Sequence, residues 1–243
     1  MRVLLRLGVV VCLFLTGCSC TSADYFSQGY GYYNKSQYDR AISDYSRAIK
    51  INPNYAQAYN NRGAVYCDIK HEYDRAISDY NKAIDIDPGY SEAYYNRGIA
   101  YKAKGQYDRA ISDYSRAIKI NPRYAQAYNN RGAVYCDVKH EYDRAISDYN
   151  KALDIDPGYA EAYYNRGVAY AAKDRLDQAI LDYNKTIRIA PKDSKTYSNR
   201  AVLYYRKGEY DKAWQDVRKA QNMGYQVPQE FLKNLREASG REK

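Results

Sequence analysis

Phenylalanine, tryptophan, proline and histidine are scarce in this sequence of 243 residues. It contains 3 Phe, 1 Trp, 6 Pro and 2 His, against 32 Tyr. The chain also lacks a Gly-rich phosphate loop, an HExxH sequence and any Ser, His and Asp arrangement typical of nucleophilic catalysis. The sequence therefore predicts a protein that is not an enzyme and that uses no cofactor. Such a high Tyr content suggests a sequence repeat in which the same position is occupied by Tyr each time.

Cysteine is also infrequent, and the 5 Cys have no disulfide-framework spacing. Cys67 and His71 are four residues apart, as are Cys136 and His140. Zinc sites use Cys and His at such short spacings. The second pair, however, is a copy of the first, so duplication alone explains why the spacing recurs. We predict neither a metal site nor a Cys67–Cys136 disulfide.

The longest apolar run, LGVVVCLFL, lies within the first 17 residues and follows two Arg residues. It is too short to span a bilayer and is typical of a secretory signal peptide, residues 1–17. Its end, Leu15–Cys18, resembles the bacterial lipobox. The resemblance implies that Cys18 is lipidated and that, because Ser19 follows, the protein lies in the outer membrane facing the periplasm. The alternatives are ordinary signal-peptide cleavage nearby and an uncleaved anchor.

A long repeat occupies the rest of the chain. Residues 55–83, YAQAYNNRGAVYCDIKHEYDRAISDYNKA, recur at 124–152 with one change, Ile69 to Val138. Prolines close similar segments every 34 or 35 residues, from Pro53 to Pro191. Within one segment, the spacing of Tyr73, Ala76, Ile77, Tyr80, Ala83 and Ile84 predicts an apolar stripe on one helix face. A period near 34 with two helices in each segment is a pattern of stacked helical hairpins.

The segment resembles the tetratricopeptide repeat family residue by residue. The family's conserved slots are filled by Tyr59, Gly63, Tyr66, Ala76, Tyr80, Ala83 and Pro88. The resemblance implies an all-α fold, a right-handed α-solenoid. Its array spans 18–226 in six repeats, numbered here in chain order: 22–55, 56–90, 91–124, 125–159, 160–193 and 194–226. Residues 227–243 are predicted to hold a capping helix with Pro228 at its start and Phe231, Leu232 and Leu235 on one side.

Arginine recurs in a slot that usually holds Leu in this family. The Arg residues are 62, 97, 131, 166 and 200, and each second helix carries an Asp: Asp44, Asp79, Asp113, Asp148, Asp182 and Asp216. We predict that Arg and Asp pair between the two helices of a repeat, because a guanidinium fork suits one carboxylate. The alternative is a basic ladder for anionic ligands.

The resemblance also implies a binding surface, since first helices line the concave groove in this family. The predicted groove residues are Phe26, Tyr30, Tyr33, Asn60, Asn61, Tyr95, Asn96, Lys102, Asn129, Asn130, Tyr164, Asn165 and Asn199, with Cys67 and Cys136 in equivalent exposed slots. Tyr and Asn side chains can stack and hydrogen-bond with little loss of rotamer freedom. The alternative is that Asn61 and its equivalents only satisfy neighbouring backbone.

The formal net charge of +9 is spread through every repeat, which argues against a nucleic-acid site. We therefore predict a membrane-tethered scaffold that binds a partner peptide or protein in the groove. By resemblance to other repeat lipoproteins, its role would be in cell-envelope assembly, meaning pilus or outer-membrane protein biogenesis. The alternative is an adaptor that regulates an envelope enzyme such as a peptidoglycan hydrolase or a protease. A third reading is a host-directed factor presented outside the cell.

Overall fold

The computed structural model describes residues 20–241, in which thirteen α-helices and no strands are found. The helices are α1 (Ser22–Asn34), α2 (Tyr38–Ile51), α3 (Ala56–Asp68), α4 (Tyr73–Ile86), α5 (Ser91–Ala103), α6 (Tyr107–Ile120), α7 (Ala125–Asp137), α8 (Tyr142–Ile155), α9 (Ala160–Ala172), α10 (Leu176–Ile189), α11 (Ser194–Arg206), α12 (Tyr210–Asn222) and α13 (Gln229–Ser239). Each predicted repeat thus contains one helix pair. The predicted signal peptide and Cys18 lie outside the described residues. None of the described helices is long and apolar enough to cross a membrane.

Prolines end the second helix of a repeat by restricting the residue before them. Asn52 precedes Pro53 and adopts φ −126° and ψ 93°, and Asp87 precedes Pro88 with φ −129° and ψ 93°. Such extended geometry is what the proline ring imposes on its neighbour, and it cannot continue a helix. The sequence prediction that these prolines close the repeats is confirmed.

The turn inside each helix pair contains one residue with a left-handed backbone. In two turns it is glycine, Gly105 at φ 71° and Gly208 at φ 73°, as the sequence predicted. In the other turns it is Ser36, His71, His140 or Asp174, with φ between 54° and 60°. Glycine adopts this conformation without the Cβ penalty that the other four residues carry.

A glycine–tyrosine contact holds the two helices of most repeats together. A Cβ atom at Gly63 would lie 2.8 Å from Cε1 of Tyr80, and one at Gly132 would lie 2.9 Å from Cε1 of Tyr149. The missing side chain therefore lets the ring lie against the facing helix. In repeat 6 the same two slots hold Ala201 and Val217, both fully buried.

The helices form two compact units, one ending at Lys104 and the other beginning at Gly105. The first contains α1–α5 and the second α6–α13. Within each unit, a second helix also packs against the first helix of the next repeat, as α2 does with α3 and α8 with α9. The boundary falls inside the segment that the sequence assigned to repeat 3.

The chain's last helix closes the second unit, as predicted. Pro228 stands at the start of α13, and Leu232 and Leu235 are buried against Ala213 and Val217 of α12. Beyond the helix, Nη2 of Arg241 lies 2.7 Å from Oδ1 of Asp211. The capping helix therefore covers the apolar surface that another repeat would otherwise bury.

Candidate binding site

The recurring arginines bind aspartates between the two helices of a repeat. In repeat 2, Nε of Arg62 lies 2.8 Å from Oδ2 of Asp79 and Nη2 lies 2.7 Å from Oδ1. The same two-pronged pair joins Arg131 to Asp148, Arg166 to Asp182 and Arg200 to Asp216. Burial alone would lower the pKa of Arg62, but the hydrogen bond and charge of Asp79 outweigh it and raise that pKa. The predicted pairing is confirmed for these four arginines.

The guanidinium groups of these arginines also contact the preceding repeat, which was not predicted from the sequence. Nη1 of Arg62 donates to Oγ of Ser46 at 2.9 Å, and that of Arg131 donates to Oγ of Ser115 at the same distance. Asn81, Asn150 and Asn184 accept the corresponding bond in the other repeats. An arginine such as Arg62 therefore bridges three helices. The sequence does contain a signal for this contact. The second-helix position that accepts the bond is Ser or Asn in every repeat that precedes an arginine-bearing repeat.

A second set of contacts links consecutive repeats near the turns. Nζ of Lys70 lies 2.7 Å from Oδ1 of Asp39, and Nζ of Lys139 lies 2.6 Å from Oδ1 of Asp108. Equivalent pairs are Lys104–Asp74, Lys173–Asp143, Lys207–Asp177 and, from beyond the capping helix, Arg241–Asp211. Because the carboxylates are exposed, each pair stabilises the fold only weakly, but the geometry repeats along the chain.

Two of the predicted groove asparagines are buried, so their predicted exposure was wrong. Asn60 is 6% exposed and Asn129 is fully buried. Their Oδ1 atoms accept hydrogen bonds at 3.0 Å from Nδ2 of Asn96 and Asn165, respectively, one repeat later. Asn96 and Asn165 occupy the slot equivalent to Asn61, so in these two cases the amide bonds a side chain, whereas the alternative interpretation had it bonding the backbone. These two amides are committed to joining first helices, whereas Asn61, Asn96, Asn130 and Asn165 are only partly buried.

Phe26 and the two slot cysteines are likewise part of the packing. Phe26 is half-buried between Tyr45 and Tyr55, with ring centroids 5.7 and 4.9 Å away. Cys67 and Cys136 are 3% and 4% exposed, and burial raises the pKa of each thiol to about 12. The prediction that these cysteines face an open groove was wrong. Within residues 20–241, no cluster of three or more His, Cys, Asp and Glu is placed to hold a metal.

A pocket of about 180 Å³ opens on the first unit and contains most of its predicted groove residues. Its lining is Tyr30, Tyr33, Tyr45, Asn60, Asn61, Ala64 and Asn96. Tyr30 is 53% exposed at the rim. On the floor, Asn61 hydrogen-bonds the buried hydroxyl of Tyr45, whose pKa burial raises to about 12. No Lys, Arg, Asp or Glu is among these lining residues, so the pocket suits an uncharged group.

Polar contacts connect three of the predicted groove residues in the first unit. Nδ2 of Asn96 donates to Asn60, and Nδ2 of Asn60 donates to Oδ1 of Asn61 at 3.3 Å. This chain of amides fixes the orientation of Asn61 before any ligand arrives. Tyr95 and Lys102 are partly exposed on the same helix as Asn96 but do not line the pocket.

In the second unit, the predicted residues Tyr164 and Asn199 form their own contact. Nδ2 of Asn199 donates to the hydroxyl of Tyr164 at 2.9 Å. Nζ of Lys195 lies 5.1 Å from the centroid of the Tyr164 ring, and its hydrogen bond to that tyrosine raises the pKa of Lys195. Tyr164 also packs against Tyr183, so it is a supported side chain and not a freely moving one.

Sequence models of repeat families match most of the described chain. Models described as tetratricopeptide repeat match residues 91–124, 160–193 and 182–215, and a model described as TPR repeat matches 29–68, 70–105 and 139–174. No curated protein matches the chain.

Solved structures with the same fold include three with well-matched lengths. The crystal structure of MamA protein is 33% identical over 72% of this chain and 94% of that chain, with a TM-score of 0.61. A tetratricopeptide repeat protein from Parabacteroides merdae is 22% identical over 90% of this chain and 84% of its own, with a TM-score of 0.69. YrrB, described as a TPR protein with an unusual peptide-binding site, is 22% identical over 81% and 97%, with a TM-score of 0.63.

Proposed function

Because the chain belongs to the tetratricopeptide repeat family, and is thus a protein-interaction scaffold, we propose that it holds a partner protein at the bacterial cell envelope. The proposed contact is one extended or helical segment of the partner, bound at the pocket around Tyr30. The carrying observation is the pocket itself, which combines an exposed aromatic ring with oriented amide groups. The peptide-binding site of YrrB is consistent with this use of the fold.

The chemistry of the pocket favours peptide binding. Tyr30 and Tyr33 offer large contact areas while losing few side-chain rotations on binding. Asn61 and Asn96 each carry a carbonyl and an amino group, which match the donors and acceptors of a peptide backbone. An uncharged side chain of the partner would enter between the rings, since burying a charge there would leave it without a counter-ion.

A photo-crosslinking amino acid placed at position 30 tests the binding site. We expect it to capture one partner from intact cells, whereas the same group at exposed position 78, on α4 of the same unit, captures none. Asn61→Ala should weaken capture from position 30 without changing the helical circular-dichroism spectrum. Equal capture from positions 30 and 78 would contradict the proposed site. The identity of the captured protein also distinguishes pilus or outer-membrane assembly from regulation of an envelope enzyme.

The proposed tether is a lipid on Cys18, and the support for it is the lipobox-like Leu15–Cys18 at the end of a signal-like segment. Labelling cells with radioactive palmitate should mark the parent chain and leave Cys18→Ser unlabelled. The labelled chain should fractionate with outer membranes. An unlabelled parent chain in the soluble fraction would rule out the tether while leaving the pocket untouched.

A further inference from the structure

One outward-facing position departs from the repeat on α10. The equivalent position of the second helices in repeats 1–4 holds serine: Ser43, Ser78, Ser112 and Ser147, all exposed. In α10 it holds Leu181, which is 63% exposed. Among the described large apolar side chains it is the most exposed. Because serine occupies this position in four repeats, packing does not require leucine there.

Leu181 lies on a face of α10 that it shares with Lys185, Arg188 and Ile189. At 3.6 residues per turn these four positions fall within a sector of about 100°. Lys185 and Arg188 are exposed, and Ile189 is 41% exposed. We call these four residues the α10 stripe. It combines two apolar side chains with two cations on one side of a single helix.

The α10 stripe also carries an uncompensated positive charge. The two acids of α10 are already paired, Asp177 with Lys207 and the buried Asp182 with Arg166. Within residues 20–241, neither Lys185 nor Arg188 has an ion-pair partner. Arg188 occupies the position that holds an aspartate in α4 and α8. Repeat 5 has therefore gained both an apolar and a basic side chain relative to repeats 2 and 4.

We propose that the α10 stripe rests on an anionic lipid surface. Apolar side chains protruding from a helix enter the boundary between headgroups and acyl chains, while flanking Lys and Arg reach the phosphates. Basic residues near a membrane are attracted by its negative surface potential. Because the α10 stripe is small, it binds a membrane only weakly by itself. The inference therefore rests on the proposed tether, which keeps the chain at the bilayer.

Vesicle flotation of the chain from Ser19 onward tests the stripe, because this chain carries no lipid and retains every described helix. The probe is vesicles of phosphatidylcholine, with or without about one-third phosphatidylglycerol. We expect binding only to the anionic vesicles, and about three- to tenfold less of it after Leu181→Ser or Arg188→Asp. Both replacements are residues that other repeats already carry at these positions, so folding should be preserved.

A matched variant that should gain membrane binding can be made in repeat 4. Ser147→Leu combined with Asp154→Arg builds the equivalent of the stripe on α8 and should increase the bound fraction on anionic vesicles. Equal binding by the parent and Leu181→Ser, or no binding by the parent, would overturn the proposal. So would equal binding to neutral vesicles. Palmitate labelling at Cys18 is read separately, so failure of the stripe and failure of the tether are distinguishable.

Discussion

Repeats 2 and 6 share their electrostatic contact but differ in their packing contact. Arg62–Asp79 and Arg200–Asp216 have the same two-pronged geometry. In repeat 2, Gly63 packs against the ring of Tyr80. In repeat 6, Ala201 and Val217 occupy the equivalent positions. A larger residue on one helix thus accompanies a smaller one on the other. The comparison shows that the ion pair and the helix–helix packing can change independently.

The largest predicted effect is common to both repeats. Arg62→Ala leaves Asp79, whose side chain is 8% exposed, without its counter-ion, and Arg200→Ala does the same to Asp216. Each substitution should lower the free energy of unfolding by about 3 kcal/mol. Urea unfolding followed by circular dichroism measures this. Arg75→Ala is the control, because its side chain is 67% exposed and its partner Glu72 is 40% exposed, and it should change little. A small effect at position 62 would show that the pair is not stabilising.

The packing contact should distinguish the two repeats. Gly63→Ala forces a Cβ atom against the Tyr80 ring and should cost about 2 kcal/mol, because overpacked sites strain their neighbours. Combining it with Tyr80→Val imitates repeat 6 and should cost less than the two single changes added together. Gly31→Ala is the matched control, since a Cβ there meets nothing within 4 Å. Additive costs would contradict the compensation inferred for Ala201 and Val217.

Alkaline pH should affect repeat 2 more than repeat 6. Burial raises the pKa of the Cys67 thiol from its ordinary 9.0 to about 12, so the folded chain keeps a proton that the unfolded chain releases. Stability from this group is therefore complete below about pH 9 and declines as pH rises toward 12. Urea midpoints measured at about pH 8 and about pH 11 should differ less in Cys67→Ala. Val202→Ala, at an exposed side chain of repeat 6 that carries no titrating group, is the control and should leave the difference unchanged.

The smallest predicted effect concerns the turns. Repeat 6 turns at Gly208 with φ 73°, whereas repeat 2 turns at His71 with φ 54°. His71→Gly removes the Cβ penalty but adds freedom to the unfolded chain, so the net gain should be about 0.5 kcal/mol. Gly208→Ala should destabilise by a larger amount, about 1 kcal/mol. Thermal unfolding of both variants would show the opposite signs, and a loss of stability in His71→Gly would contradict the argument.

The sequence predicted the helices well because each boundary has a local cause. Pro53 and Pro88 end helices through their own ring geometry, and Gly105 and Gly208 supply left-handed turns. The capping helix could be predicted for the same reason, from Pro228 and an apolar side. None of these inferences requires knowledge of how repeats meet.

The predicted site was less accurate because burial depends on the neighbouring repeat. Asn60 and Asn61 are adjacent in sequence and chemically identical, yet only Asn60 is buried and accepts a hydrogen bond from Asn96. The contribution of Tyr45 to the pocket was also missed, since its ring belongs to the packing of a second helix. Slot assignments carried over from a family place a residue on a face, but they do not show which neighbour uses its polar atoms.

The contact between α2 and α3 has a consequence for how such a gene can change. Helices α6 and α7 have the same sequences as α2 and α3, and Lys139–Asp108 repeats Lys70–Asp39. Removing residues 56–124, which are 69 in number, would place α7 directly after α2 against a surface it already fits. A single recombination between the two copies of the DNA could therefore lengthen or shorten the protein by two repeats without creating any new interface between them.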